Sequence, residues 1–431
     1  MISGKTASEI FEQIRSAVQS GGYLPGDTLP PVRELALALE VNRNTVASGY
    51  KRLIEAGIAE SRGRNGTAIR SLTPTLAREG TPPGLALVDL AGGNPAPSLL
   101  PDIASVLGQV RFRHRLYGEP PINSELEQYG RSWLGSDIEE DFRLTLTSGA
   151  VDAVERLLTS YLIGGDRVIV EDPCFLSSIN TLKSSRLPAI GVTLDEEGIC
   201  VDALETALAS GVQALILTPR AHNPTGWGFS AARAAQIKTL LTRYPQVLVI
   251  IDDHFSLLST HDYFHVIPRE TRHWALVRSV SKFLGPDMRL AFVASDAETA
   301  QRLAMRLHAG SNWISHILQD ITLAALQSAP LQAAIADARK QYQQRRAALT
   351  DALAEACVTT SQKHDGLNVW LPLTQESSAV VMQLATHGWL VRDGATFALD
   401  HQQRGIRITV AELEPQQAAS FARTLAQLIT H

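Results

Sequence analysis

Five stretches of the chain and one arginine, in a fixed order, carry side chains suited to one kind of chemistry. TSGA (147–150) opens a helical stretch after a short apolar run, so Ser148, Gly149 and Ala150 would offer free backbone N–H groups to a phosphate. VEDPCF (170–175) puts Phe175 where a ring could stack on a planar cofactor. HNPTG (222–226) is a tight turn presenting Asn223, and IIDD (250–253) carries Asp252, a carboxylate able to pair with a protonated ring nitrogen. SVSK (279–282) ends on Lys282, and Arg289 follows seven residues later. A carbonyl cofactor needs an amine to hold it as a Schiff base. Pyridoxal 5'-phosphate (PLP) also needs an acidic partner for its ring nitrogen, a phosphate cup and an aromatic face. Singly, these are an ordinary strand-to-helix turn, a core ring and a surface lysine; together and in this order they make PLP the expected cofactor.

A second group lies near the N-terminus. Ile10, Phe11, Ile14 and Val18 have helical spacing within 6–21, and LPGDTLP (24–30) breaks the chain. Val32–Leu39 reads as a second helix, Val41-Asn42 as a turn, and Asn42 as the N-cap of a third helix with Val46, Tyr50 and Leu53 facing inward. That leaves Arg43, Asn44, Ala47 and Lys51 outward, at the end where recognition helices meet base edges. Gly57 stops the helix, and IAES and TAIR flank RGRNG (62–66) as a small hairpin, or wing. Within 41–70 there are six Lys/Arg against two Asp/Glu, although the whole chain has a net charge of −5. Contact with nucleic acid, if made, should come from this segment.

The elements that must position these residues follow from the apolar runs. DRVIVEDP, QALILTP, LVIIDD and RLAFVAS read as buried strands of a largely parallel sheet, with the polar residues just past strand ends. Ser71 to Val88 has three prolines, two glycines and no periodicity, and reads as a connector. A long helix is expected around Leu331–Leu353, followed by a smaller α/β subdomain. Length predicts two or three domains. Three scattered cysteines are too few for a disulfide framework or a zinc site, no metal is expected, and a reducing cytoplasm fits best. No secretory signal is evident, and no apolar run reaches the ~18 residues of a membrane span.

The two groups each resemble a family. LPGDTLPPVRELA, VNRNTV and YKRLIEAGIAESRGRNGTAI resemble the winged helix of GntR-type regulators. The resemblance implies that Arg33, Arg43, Asn44 and Thr45 contact DNA, with Arg64 and Gly66 in the wing tip. Arg reads guanine best and Asn adenine, while Thr45 suits a phosphate. Ala47 stands where some relatives have an arginine. Residues 88–431 resemble fold-type I aminotransferases. This implies Lys282 as the Schiff-base lysine, Asp252 at the pyridine nitrogen, Asn223 near the phenolic oxygen and Phe175 as the stacking ring. It implies a phosphate site of Ser148, Gly149, Ala150, Ser279 and Arg289, with Tyr117 reaching in from a neighbouring subunit. It further implies that Arg407 binds a substrate carboxylate, its fork matching that group bidentately, and that GGNP (92–95), with Gly93, closes over the ligand. The tyrosine usual three residues after the Asp is Phe255, and the one two residues after it in regulators is His254, which is left beside the cofactor. The glycine expected five after Tyr117 is Ile122. Cofactor binding is thus expected intact and its electronic tuning altered.

The combination resembles the MocR/GabR group of bacterial regulators, most closely the PtsJ branch. The expected architecture is multidomain α/β: a winged helix-turn-helix (1–70), a linker (71–88) and an aminotransferase-like domain (89–431) whose smaller subdomain spans about 354–431. The resemblance implies a domain-swapped, head-to-tail homodimer that binds operator DNA. It would sense PLP, or an amino compound reacting with PLP at Lys282, in control of vitamin B6 or amino-compound metabolism. The alternative is a working PLP-dependent aminotransferase with a DNA-binding appendage, favoured by Asn223 and Arg407 and disfavoured by Phe255.

Overall fold

The computed structural model describes residues 2–70, 78–82, 84, 86–399 and 404–429. Residues 71–77, Pro83 and Leu85 of the expected linker, and the side chain of Arg64, lie outside them. The chain divides into two units, 1–77 and 78–431, apart from a short stretch at 163–165.

The first unit is built from α1 (Ala7–Gln19), α2 (Val32–Leu39) and α3 (Arg43–Glu55), followed by an antiparallel ribbon of β1 (Ala59–Ser61) and β2 (Thr67–Ile69). Thr6 caps α1 by accepting from the Glu9 N–H, and Asn42 caps α3 by accepting from the Asn44 N–H at 2.8 Å. Each cap satisfies one of the N–H groups that a helix start leaves without a partner. Ile10, Ile14, Val46, Tyr50 and Leu53 form the core with Leu29, Leu35 and Ile69. Full burial of such a side chain stabilises the fold by roughly 1.5–3 kcal/mol. A Cβ at Gly49 would stand 3.1 Å from Ile10 Cγ2 and 3.2 Å from the Ala7 carbonyl oxygen, so glycine lets α1 and α3 cross closely.

The second unit contains two sheets. Its strands are β3 (Val88–Leu90), β4 (Arg143–Thr147), β5 (Val168–Asp172), β6 (Ala189–Asp195), β7 (Gly198–Ile199), β8 (Ala214–Leu217), β9 (Leu248–Asp252), β10 (Trp274–Ser279), β11 (Ala291–Ser295), β12 (Asn368–Pro372), β13 (Trp389–Asp393) and β14 (Gly405–Thr409). The large sheet has the order β4-β11-β10-β9-β8-β5-β6-β7. From β10 through β9, β8 and β5 to β6 it is parallel. Every residue of β5, β8, β9, β10 and β11 is buried, as expected of strands covered on both faces. Strand β11 runs against both β10 and β4. Its N-terminal end therefore lies at the edge where the parallel strands finish, which brings Arg289, just before β11, beside Ser148, just after β4.

The small sheet has the order β12-β14-β13-β3, and its apolar face packs with the helices Ala329–Glu355, Ser377–Thr386 and Pro415–Ile429. Strand β3 pairs in parallel with β13. The small subdomain thus takes a strand from the start of the unit, whereas the sequence points only to residues after 353. VDL is too short to show a period of its own.

Candidate cofactor cleft and DNA-binding face

The cleft lies along the edge of the large sheet where its parallel strands end. At one end, Gly149 (φ +91°) leads into the helix Ala150–Tyr161, whose first-turn N–H groups have no partner within the helix. Arg289 donates from Nη2 to the Ser148 carbonyl oxygen at 3.1 Å. A Cβ at Gly149 would meet the Arg289 guanidinium carbon at 2.9 Å, so the turn forms a cradle that a side chain would fill. Ser279 is buried nearby in sequence, its Oγ accepting from the Ser281 N–H. The Ser148 N–H is already taken by Asp152 Oδ2 at 3.0 Å, and Asp152 is in turn held by Arg156.

The middle of the cleft is set by IIDD. Successive strand residues point to opposite faces. Asp253 turns toward the buried arginines, accepting from Arg220 at 2.7 and 2.8 Å and from Arg278 at 2.7 Å. Asp252 turns the other way. Its Oδ1 is buried with no hydrogen-bond partner among the described residues, and the nearest ring nitrogen, Nδ1 of His254, is 3.4 Å away and also without one. Buried acceptors are normally satisfied. A protonated pyridine nitrogen is the kind of donor this oxygen lacks, so the residues fit PLP. The Phe175 and His254 rings are near parallel, 15° apart with centroids 6.3 Å from each other. Phe255, where the aminotransferase tyrosine would stand, is buried in the core at 2 % exposure.

Lys282 sits in the short helix Ser281–Leu284 and donates from Nζ to the Gly93 carbonyl oxygen at 2.9 Å. Burial lowers its pKa from the ordinary lysine value, with Glu79 pulling the other way. A lysine eased toward its neutral form is a better nucleophile for a carbonyl.

At the far end, Arg407 on β14 is fully buried. Its Nη1 donates to Asn223 Oδ1 at 2.8 Å, and Nη2 to the Ala91 carbonyl oxygen. It also forms a two-armed ion pair with Glu79 at 2.7 and 2.9 Å. Gly93 (φ +67°) packs against both groups. Glu79 is the residue that sequence reasoning missed. It lies in a stretch without periodicity, and its segment is held by Gly80 N–H donating to the Gly92 carbonyl oxygen at 2.8 Å. The described stretch from Arg78 therefore belongs with the effector unit rather than to a free connector.

Behind Asp252 lies a second group not foreseen as such. Glu171 and His222 are buried 3.4 Å apart. Burial raises Glu171 to about 8 and lowers His222 to about 3, so both are uncharged near neutrality. VIVED could have signalled this, since it ends an apolar strand on two carboxylates.

Tyr117 does not join the cleft. It is 87 % exposed and packs edge-on against Trp313 at 5.2 Å.

In the first unit, Arg33, Arg43 and Asn44 are exposed and Thr45 half-buried. Arg43, Asn44 and Thr45 lie in the first turn of α3, and Arg33 lies near the start of α2. Gly66 (φ +84°) closes the tight turn of the wing.

A winged helix-turn-helix in one unit and a fold-type I aminotransferase architecture in the other define a regulator with an enzyme-like effector domain. The profile of the aminotransferase class I and II family matches residues 88–425, and that of the gntR family of bacterial regulatory proteins matches residues 6–69. The chain is 48 % identical over 429 residues, covering all of both proteins, to the vitamin B6 salvage pathway transcriptional repressor PtsJ of Salmonella typhimurium. It is 27 % identical to the uncharacterized HTH-type transcriptional regulator YdcR of Escherichia coli, covering 99 % of each. Kynurenine aminotransferase from Pyrococcus horikoshii shares the fold, with a TM-score of 0.72 at 21 % identity over 80 % of this chain and 91 % of that one. The chain belongs to the MocR/GabR group of GntR-type transcription regulators, which join a winged helix to an aminotransferase class I and II domain. Among its described residues no helix is long and apolar enough to cross a membrane.

Proposed function

We propose that the protein binds operator DNA through its winged helix and senses PLP, or an amino compound reacting with PLP, in control of vitamin B6 salvage. The observation that carries this reading is one chain with two sites. It has an exposed recognition-helix start, and a cleft in which Lys282, the unpartnered Asp252 Oδ1 and the Gly149–Arg289 cradle match three ends of one cofactor. The 48 % identity to a vitamin B6 salvage repressor points to the same pathway.

When bound, PLP supplies an aldehyde that a lysine amine can hold covalently. The chain's residues would divide the work. Lys282 provides the amine and Asp252 receives the ring N–H. Phe175 and His254 flank the ring, and Asn223 lies toward its phenolic oxygen. Gly149, Ala150, Ser148, Ser279 and Arg289 hold the phosphate. Arg43 and Asn44 read base edges, while Arg33 and Thr45 hold phosphates and Arg64 and Gly66 shape the wing tip. The protein acts as a domain-swapped, head-to-tail homodimer, and exposed Tyr117 serves the partner's cleft. For PLP to regulate, it must bind the two conformations of the dimer with different affinities.

The test is operator affinity by fluorescence anisotropy, with and without PLP, for the wild type and Lys282→Ala. PLP should shift the affinity of the wild type and leave that of the variant unchanged. Unaltered PLP binding and PLP response in Lys282→Ala would contradict the reading.

A further inference from the structure

Arg407 is the residue whose fork suits a ligand carboxylate, and in this structure a carboxylate from the chain itself is already seated there. Glu79 Oε1 accepts from Arg407 Nη1 at 2.7 Å, and Oε2 from Nη2 at 2.9 Å. Asn223 completes the arrangement by donating from Nδ2 to the same Oε1 at 3.0 Å. This is the two-armed geometry by which arginine recognises a planar carboxylate. Both terminal nitrogens of Arg407 are committed, as are Asn223 Oδ1 and one of the two hydrogens on its Nδ2. The remaining Arg407 donor, Nε, has no partner among the described residues.

The seat is shaped for Glu79. A Cβ at Gly93 would lie 2.6 Å from Glu79 Oε2 and 2.9 Å from Arg407 Nη2, so any side chain there would collide with the pair. The backbone is fastened on both sides of the residue. Arg392 Nη2 donates to the Arg78 and Gly80 carbonyl oxygens at 3.2 and 3.1 Å, and Thr81 Oγ1 bonds to the Asp89 carboxylate. A tethered group acts at millimolar or higher effective concentration without loss of free translation. A ligand carboxylate entering from solution would gain little that Glu79 does not already supply. It would also leave the displaced Glu79 to find new partners, and separating a buried pair is unfavourable.

We propose that Glu79 is a built-in occupant of the Arg407 carboxylate site, and that it restricts the cleft to effectors bringing no carboxylate of their own. α-Amino acids and keto acids are refused, and a phosphorylated pyridine aldehyde is admitted. This inference rests on the reading of the cleft as a PLP sensor and narrows it: the signal is the cofactor, not an amino acid delivered to it.

The test uses the full-length protein without cofactor and calorimetric titration with propionate, a free equivalent of the Glu79 side chain, and with L-alanine. Wild type should take up neither in the millimolar range. Glu79→Ala should bind both at least about tenfold more tightly, and propionate should raise its melting temperature but not that of the wild type. Glu79→Gln keeps the shape and loses the charge; it guards against a fold that fails when Arg407 is left bare, and should show a smaller gain in the same direction. The double variant Glu79→Ala/Arg407→Leu should lose the gain. Wild type binding propionate as tightly as Glu79→Ala would overturn the proposal, as would a gain that survives removal of Arg407. Because these titrations contain no PLP, their outcome is separate from whether PLP alters operator affinity, which tests the underlying reading.

Discussion

At the residue scale, two adjacent carboxylates in IIDD meet different fates because strand side chains alternate. Asp253 neutralises Arg220 and Arg278 in the interior, while Asp252 keeps an oxygen without a donor. On the proposed function, Asp252→Asn would remove a charge-assisted hydrogen bond to the ring nitrogen of PLP, worth roughly 1.5–3 kcal/mol. PLP retention, measured by equilibrium dialysis, should fall about tenfold or more. Gly93→Ala places a methyl group against the Glu79–Arg407 pair in a backbone conformation that costs a non-glycine residue roughly 1–2 kcal/mol. It should lower the melting temperature without opening the site to propionate, because a free carboxylate on Arg407 would meet the same methyl group. An unchanged melting temperature, or uptake of propionate, would contradict the packing described. The placement of Lys282, Asp252 and Asn223 in the cleft was legible because they follow apolar runs with motif spacing. Glu79 was not, because a lone glutamate among TLAREGTPPG has no pattern and acquires meaning only when β3 carries its segment back to β14.

At the element scale, α3 owes its start to one side chain. Asn42→Ala removes the cap on the Asn44 N–H and should cost about 1 kcal/mol, read as faster amide exchange in the first turn of α3. Arg43→Ala should weaken operator binding by about 1–3 kcal/mol and relax base preference at one position of each half-site. The helices and wing of this unit were readable from periodicity, caps and the Gly57 stop. Four strands of the large sheet, β5, β8, β9 and β11, were readable as apolar runs. The antiparallel course of β11 was not, since RLAFVAS has the same composition as its parallel neighbours. That reversal is what brings Arg289 to Ser148. The three-residue β3 was likewise hidden, and with it the true make-up of the small subdomain.

At the scale of the whole molecule, buried histidines weaken the fold in acid, while Glu171, raised to about 8, contributes with the opposite sign. Burial lowers His222 to about 3 and His364 to about 4, while the unfolded chain protonates them near their ordinary value of 6.5. The unfolded state then binds more protons across that window, so their share of stability is intact above about pH 6.5 and is lost as pH falls toward 4. His364 accepts from the Trp370 N–H through Nε2, an acceptor position that the side-chain oxygen of glutamine can reproduce. His364→Gln should therefore lose less melting temperature than wild type between pH 6.5 and 4, and an identical pH profile would contradict the assignment. The joining of a DNA-binding head to a cofactor cleft in one chain is the central feature of the molecule. Its most direct test is the affinity of the wild-type protein for its own upstream DNA at fixed salt, with and without PLP, because phosphate contacts make affinity depend on salt. The account predicts specific binding whose affinity changes when PLP is added. Specific binding indifferent to PLP would contradict it.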